Sequence, residues 1–112
     1  MNDTSPHATR PWQHAAAIVL LALALALLYA QVRQHGYIDW DDTSYVSENR
    51  VVREGLGAAG VAWAFTTVHM SNWHPLTWLS HMLDVSLFGL DPGPQHLVNA
   101  ALHGFNSALV YA

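Results

Sequence analysis

The sequence predicts an all-α membrane protein, and three observations carry that reading. Residues Ala15 to Ala30, AAAIVLLALALALLYA, form sixteen positions without a charged or strongly polar side chain. Hydrophobic residues make up 52% of the 112-residue chain and charged ones only 11%, which is poor in charge for a water-soluble domain. A second apolar, helix-forming block closes the chain, QHLVNAALHGFNSALVYA. Two transmembrane helices are therefore expected, joined by a helical external loop. The predicted organisation is a cytoplasmic tail over residues 1–14, a first span over 15–32, a loop over 33–94 and a second span begun over 95–112.

The first block consists of good helix formers, and at 1.5 Å per residue it reaches about 24 Å, a little short of the roughly 30 Å hydrocarbon layer. Pro11, Trp12 and Val32 extend it at the flanks. The competing reading is a cleaved signal peptide with Arg10 as its basic end, but Leu28 stands where such a site wants a small residue. A signal anchor is the better fit. Arg10 and Arg33 flank the block on either side, so the positive-inside rule leaves its orientation open.

In the closing block, Asn99, His103 and Asn106 recur at i, i+4 and i+7, a polar stripe expected to face other helices rather than lipid. The run ends inside an apolar helix, so a longer polypeptide is expected. Between the blocks, Pro75 suits the first turn of a helix and Gly89, Pro92 and Pro94 stop it, which predicts a helix over Pro75 to Phe88. Leu76, Leu79, Leu83, Leu87 and Leu90 make its apolar stripe, and His74, Thr77, His81 and Asp84 its polar one. With Trp73 and Trp78 nearby, that pattern suits an amphipathic helix at the membrane interface. A metal shared by His74, His81 and Asp84 is the competing reading. Two turns separate the imidazoles by about 10 Å, too far for one tetrahedral ion.

The stretch ENRVVREGLGAAGVAWAFTT reads as a short helix interrupted by Gly55, Gly57 and Gly60, then a second short piece around Val61 to Thr66. No GxGxxG motif and no lysine occur, and the net charge is −4, which excludes a phosphate cradle and a nucleic-acid surface. The absence of cysteine excludes disulfides and thiolate metal sites.

Three aspartates fall within four positions in GYIDWDDTSYVSENRVV: Asp39, Asp41 and Asp42. Such a cluster commonly caps a helix. A cap needs one carboxylate, and the remaining ones suit a general base whose proton affinity is tuned by partial burial and by an acidic neighbour.

DWDDTSYVSEN, followed by GLGAAGVAWAFTTVHMSNWHPLTWLSHMLDVSLFGLDPGPQHLVNAALH, resembles the N-terminal region of bacterial membrane proteins that carry C-terminal tetratricopeptide repeats. These are relatives of the transmembrane and tetratricopeptide-repeat O-mannosyltransferases, within the C-type glycosyltransferase superfamily. NWHPLTWLSHMLD and LFGL are the most specific parts. Gly57 departs from the hydroxyl residue that relatives often carry, and neither repeats nor later helices lie within these residues.

The resemblance implies a multi-span fold in the cell inner membrane, with the loop facing the periplasm. A polyprenyl-phosphate-linked sugar is then the donor, and a protein Ser or Thr hydroxyl the acceptor. Asp41 and Asp42 take the catalytic acidic position, with Asp41 as base and Asp42 positioning it. His74 and Pro75 take the second motif, with His81 and Asp39 as further substrate-binding candidates, Asp39 sharing a side with Asp41 if the segment is extended. Arg50 and Arg53 are candidates for the donor phosphate. No cofactor is expected, a divalent metal being the less favoured option, and nucleic acid is not an expected partner. The rival function is non-catalytic: an anchor for a tetratricopeptide-repeat scaffold.

Overall fold

A computed structural model describes residues 10–111. Among the described residues every regular element is helical: α1 (Pro11–Tyr29), α2 (Arg50–Arg53), α3 (Ala58–Thr66), α4 (Pro75–Phe88) and α5 (Pro92–Tyr111), with no strand. The chain divides into two compact units, one of residues 1–30 and 98–112 and the other of residues 31–97.

In the first unit, α1 starts earlier than its apolar run. Pro11 occupies the first helical position and Gln13 folds back so that its Oε1 accepts from the Arg10 backbone N–H at 2.8 Å. A 3₁₀ turn, Ala30–Gln34, prolongs the helix, giving 24 residues from Pro11 to Gln34, the most apolar 18-residue stretch of which has a mean hydropathy of 2.4. This is the one helix among the described residues long and apolar enough to cross a membrane. At about 36 Å it is longer than the sequence suggests, because polar residues at both ends stay helical.

Helix α5 runs for 20 residues but does not reach that apolar standard, having Gln95, His96, Asn99, His103 and Asn106 along it. Within the first unit its half-buried positions are Val98 and then the small residues Ala100, Gly104, Ser107 and Ala108. A Cβ on Gly104 would sit 3.5 Å from the end of the Leu25 side chain, an ordinary van der Waals contact between the two helices. Tyr29 meets His103 edge-on at 5.8 Å, and His14 lies 5.7 Å from Tyr111. The polar stripe of Asn99, His103 and Asn106 is exposed.

The second unit is built around α4, which runs over the residues its Pro75 and Gly89 punctuation predicts. Its core is Val46, Val52, Ala64, Trp78, Met82 and Val85. The side of α4 that packs inward is therefore Trp78, Met82 and Val85, a second i, i+4, i+7 apolar stripe bulkier than the leucines. The leucine stripe points away: Leu76 is 74% exposed, Leu83 45% and Leu87 64%. Only Leu79 turns partly to the core.

Helix α3 crosses α4 with Gly60 inside it rather than breaking it. The Met82 sulfur fills the space over Gly60, where a Cβ would come within 2.6 Å. The linker before α3 needs glycine at residue 55, whose φ is +78°, and its next N–H, that of Leu56, donates to Ser86 Oγ at 2.7 Å. Ser86 in turn donates to the Met82 carbonyl, tying linker to α4. Asn49 caps α2, its side-chain oxygen accepting from Val51 N–H at 3.1 Å and Val52 N–H at 3.3 Å. Asp91 does the same for α5, accepting from Gly93 N–H at 3.0 Å.

Candidate functional site

The aspartate cluster is wound, not extended. Ile38 donates its backbone N–H to Asp42 Oδ2 at 2.8 Å, which closes a tight turn over Asp39 and Trp40. Residues 41–47 continue as helical turns, the last five, Thr43–Ser47, in the wide π form that recurs at functional sites. The side-chain alternation that would put Asp39 beside Asp41 is therefore absent. Asp39 Oδ1 instead accepts from the Thr43 hydroxyl at 3.3 Å.

The three carboxylates thus separate by what holds them. Asp39 and Asp42 are engaged in the turn. Asp41 is exposed, not partly buried, and makes no hydrogen bond or ion pair with the described residues. Two aspartates satisfy the bland structural role of such a cluster, and the third is left over.

Around this turn the chain gathers aromatic rings and histidines from distant positions. Trp78 is fully buried, stacked on Tyr45 at 4.7 Å and met edge-on by Trp63 at 5.2 Å and His69 at 5.5 Å. His74 stands at the N-cap of α4 without a side-chain cap bond, its ring 4.8 Å from Trp78 and 5.5 Å from Tyr45. His81, two turns on, approaches the edge of Tyr45 at 6.4 Å. Both histidines of the sequence-predicted polar stripe therefore lie on the Tyr45 side of α4. Pro75 is buried and starts the helix, so its ring belongs to the packing.

Electrostatics tie part of this set together. Burial pushes the His81 imidazole below its ordinary 6.5, the neighbouring Asp42 carboxylate pulls it back up, and His74 lowers it further. Burial raises the Asp84 carboxyl. Burial raises the Tyr37 phenol too, with the nearby Gln95 amide opposing the rise and Asp42, Asp91 and Asp84 adding to it. Asp42, His74 and His81 thus share one field, which Asp39 and Asp41 do not enter by these interactions. Two buried donors or acceptors of the cluster, His74 Nε2 and Trp78 Nε1, have no hydrogen-bond partner.

Among the described residues no group of three His, Asp or Glu side chains is placed to hold a metal, so His74, His81 and Asp84 do not converge as a ligand set. Arg50 pairs with Glu54 at 3.6 Å on the surface, where such a pair contributes little, and Arg53 is exposed. The aromatic cluster escaped sequence reasoning because Tyr45, Trp63 and Trp78 have no shared periodicity.

Among the described residues the chain is thus all-helical, with one helix long and apolar enough to cross a membrane and a compact unit centred on a buried tryptophan. Compared with protein-family models, curated proteins and solved structures, it matches none.

Proposed function

We propose that this chain is the N-terminal part of an integral-membrane glycosyltransferase that moves a sugar from a polyprenyl-phosphate donor to a protein Ser or Thr hydroxyl. In this reading α1 spans the inner membrane, the α5 region enters it as a second span, and residues 33–94 face the periplasm. The leucine face of α4, exposed together with Trp73 and Phe65, suits the lipid interface.

The observation that carries the reading is the uncommitted carboxylate of Asp41 next to an aspartate held by the backbone. A base must be free to take a proton, and its neighbours must hold it still. Asp41 removes the acceptor hydroxyl proton as that oxygen attacks the anomeric carbon. The bond from that carbon to the lipid phosphate breaks, the electron pair leaves with the phosphate, and a single displacement inverts configuration. Asp42, fixed by Ile38 N–H, positions the turn, and His74 and His81 line the side toward which substrate is brought. Asp39 is the reserve candidate for the base.

Asn replaces Asp in hydrogen bonding but cannot take up a proton at neutral pH. In the full-length polypeptide, Asp41→Asn should leave membrane insertion and abundance near normal and lower glycosyl transfer about 10²- to 10⁴-fold. Glu48→Gln serves as the control and should do far less. Full activity in Asp41→Asn with loss in Asp42→Asn or Asp39→Asn moves the base to that residue. Activity in all three refutes the enzymatic reading and leaves the scaffold anchor.

A further inference from the structure

A concave site lies in the unit formed by residues 31–97, and of its lining residues only Arg50 is a sequence candidate, for the donor phosphate. It is an open pocket of about 370 Å³, lined by Ser44, Glu48, Asn49, Arg50, Trp63 and His69 among others. That volume is at the small end of ligand pockets, enough for one sugar ring or two.

Its walls are fixed in place. Trp63 is half-buried and braced by Trp78 at 5.2 Å, and His69 packs on Trp63 at 5.9 Å. The Ser44 carbonyl lies 3.2 Å from His69 Nε2 and can only accept, so in the neutral ring Nε2 carries the proton and Nδ1 is an acceptor. Asn49 is only 8% exposed, and its oxygen is consumed by the N–H groups of Val51 and Val52. That double acceptance fixes which end of the amide is which, and the other end, Nδ2, has no partner. A buried donor left unmade is unfavourable, and Asn49 is one of the residues that line the pocket. Glu48 adds a carboxylate at the rim, and the Arg50 charge is already matched by Glu54, so the pocket does not favour an anion.

From these features we infer that the pocket binds a neutral pyranose. An indole and an imidazole present flat apolar faces of the kind that stack on the C–H face of a sugar ring. The Glu48 carboxylate and the polar side chains of Ser44 and Asn49, with the Arg50–Glu54 pair at the edge, are the mixed polar groups that hydroxyl groups need. A phosphate finds the Glu48 carboxylate against it, and an acyl chain finds too many polar groups. The inference does not rest on glycosyl transfer, since a non-catalytic anchor with this pocket would bind glycans equally.

The test uses the whole chain in lipid nanodiscs, titrated with methyl pyranosides of glucose, galactose and mannose and read by saturation-transfer NMR and tryptophan fluorescence. Saturable, millimolar binding of at least one pyranoside is expected, with transfer to its ring C–H protons. Asn49→Asp keeps both cap acceptors but loses the Nδ2 donor, so it should weaken binding by about tenfold while the variant stays folded by its circular dichroism spectrum. Glu48→Gln, an exposed position, should also weaken it. Absence of saturation transfer from every pyranoside overturns the inference. So does binding that is indifferent to both substitutions, or preferential binding of inorganic phosphate. Pyranoside binding alongside an inactive or an active Asp41→Asn enzyme separates this pocket from the transfer reaction.

Discussion

Trp78 offers a direct measure of how the second unit holds itself together, because two substitutions remove different parts of its role. Its side chain is fully buried among Tyr45, Trp63, His69 and His74, and its Nε1–H has no acceptor. Trp78→Ala empties the centre of the cluster and should cost about 3–5 kcal/mol. Trp78→Phe keeps a stacking ring on Tyr45 while deleting the indole N–H. The smaller ring leaves roughly 40 Å³ unfilled, costing about 1 kcal/mol at ~24 cal/mol per Å³. Lost apolar burial adds about 1 kcal/mol. Removing an unpaired buried donor returns ~1–3 kcal/mol. The net change for Phe is near zero. For a unit of this size, thermal melts by near-UV circular dichroism in detergent micelles should place the Ala variant at least about 12 °C below the parent and the Phe variant within roughly 8 °C. A Phe variant as unstable as the Ala variant would refute the reasoning, because it would mean that the indole N–H has a partner.

The pH profile of stability should show two steps of opposite sign. The folded-state pKa of His81 lies below 6.5, so the unfolded chain takes up the proton first; stability is full above about pH 6.5, falls as pH drops below it, and levels off beneath the folded value. His81→Gln should remove that step in a pH series of melts, and an unchanged profile would reject its assignment. Asp84 acts the other way, its folded pKa being above 3.8, so ionisation weakens the fold as pH rises through that window and Asp84→Asn should raise the neutral-pH melting temperature. A third expectation concerns the leucine face of α4. The chain has no cysteine, so Leu87→Cys carrying an environment-sensitive dye should report an apolar surrounding in lipid vesicles while Arg53→Cys reports water. Water-like emission at both sites would show that this face does not meet lipid.

The parts of the fold legible in the sequence are those punctuated locally. Pro75 and Gly89 mark the ends of α4, and the uninterrupted apolar run marks α1. Where long-range packing decides, sequence reasoning misplaces the detail. Gly60 reads as a breaker, yet Met82 lies over it, and a glycine whose open face is filled by a thioether stays helical. The α4 leucines outnumber Trp78, Met82 and Val85, so counting favours the leucine face, whereas the bulkier set fills the core. The aspartate cluster reads as a carboxylate group by composition alone. What separates its members is the 2.8 Å bond from Ile38 N–H and the reach of Asp39 to Thr43, both settled by the turn. His74 and His81 share a face by spacing, but their neighbour Tyr45 stands about thirty positions earlier, beyond any periodicity.

The close seat of Leu25 against Gly104 bears on how the first unit can diverge. From Ala15 to Leu28 every residue of α1 is an aliphatic side chain much like its neighbours, so that stretch says little about which way round the helix sits. That rotational information resides in α5, in the gaps left by Ala100, Gly104 and Ala108. Permuting the leucines and alanines of α1 other than Leu25 should therefore be a neutral drift, while a bulky side chain at Gly104 disturbs one of the places where the two helices meet.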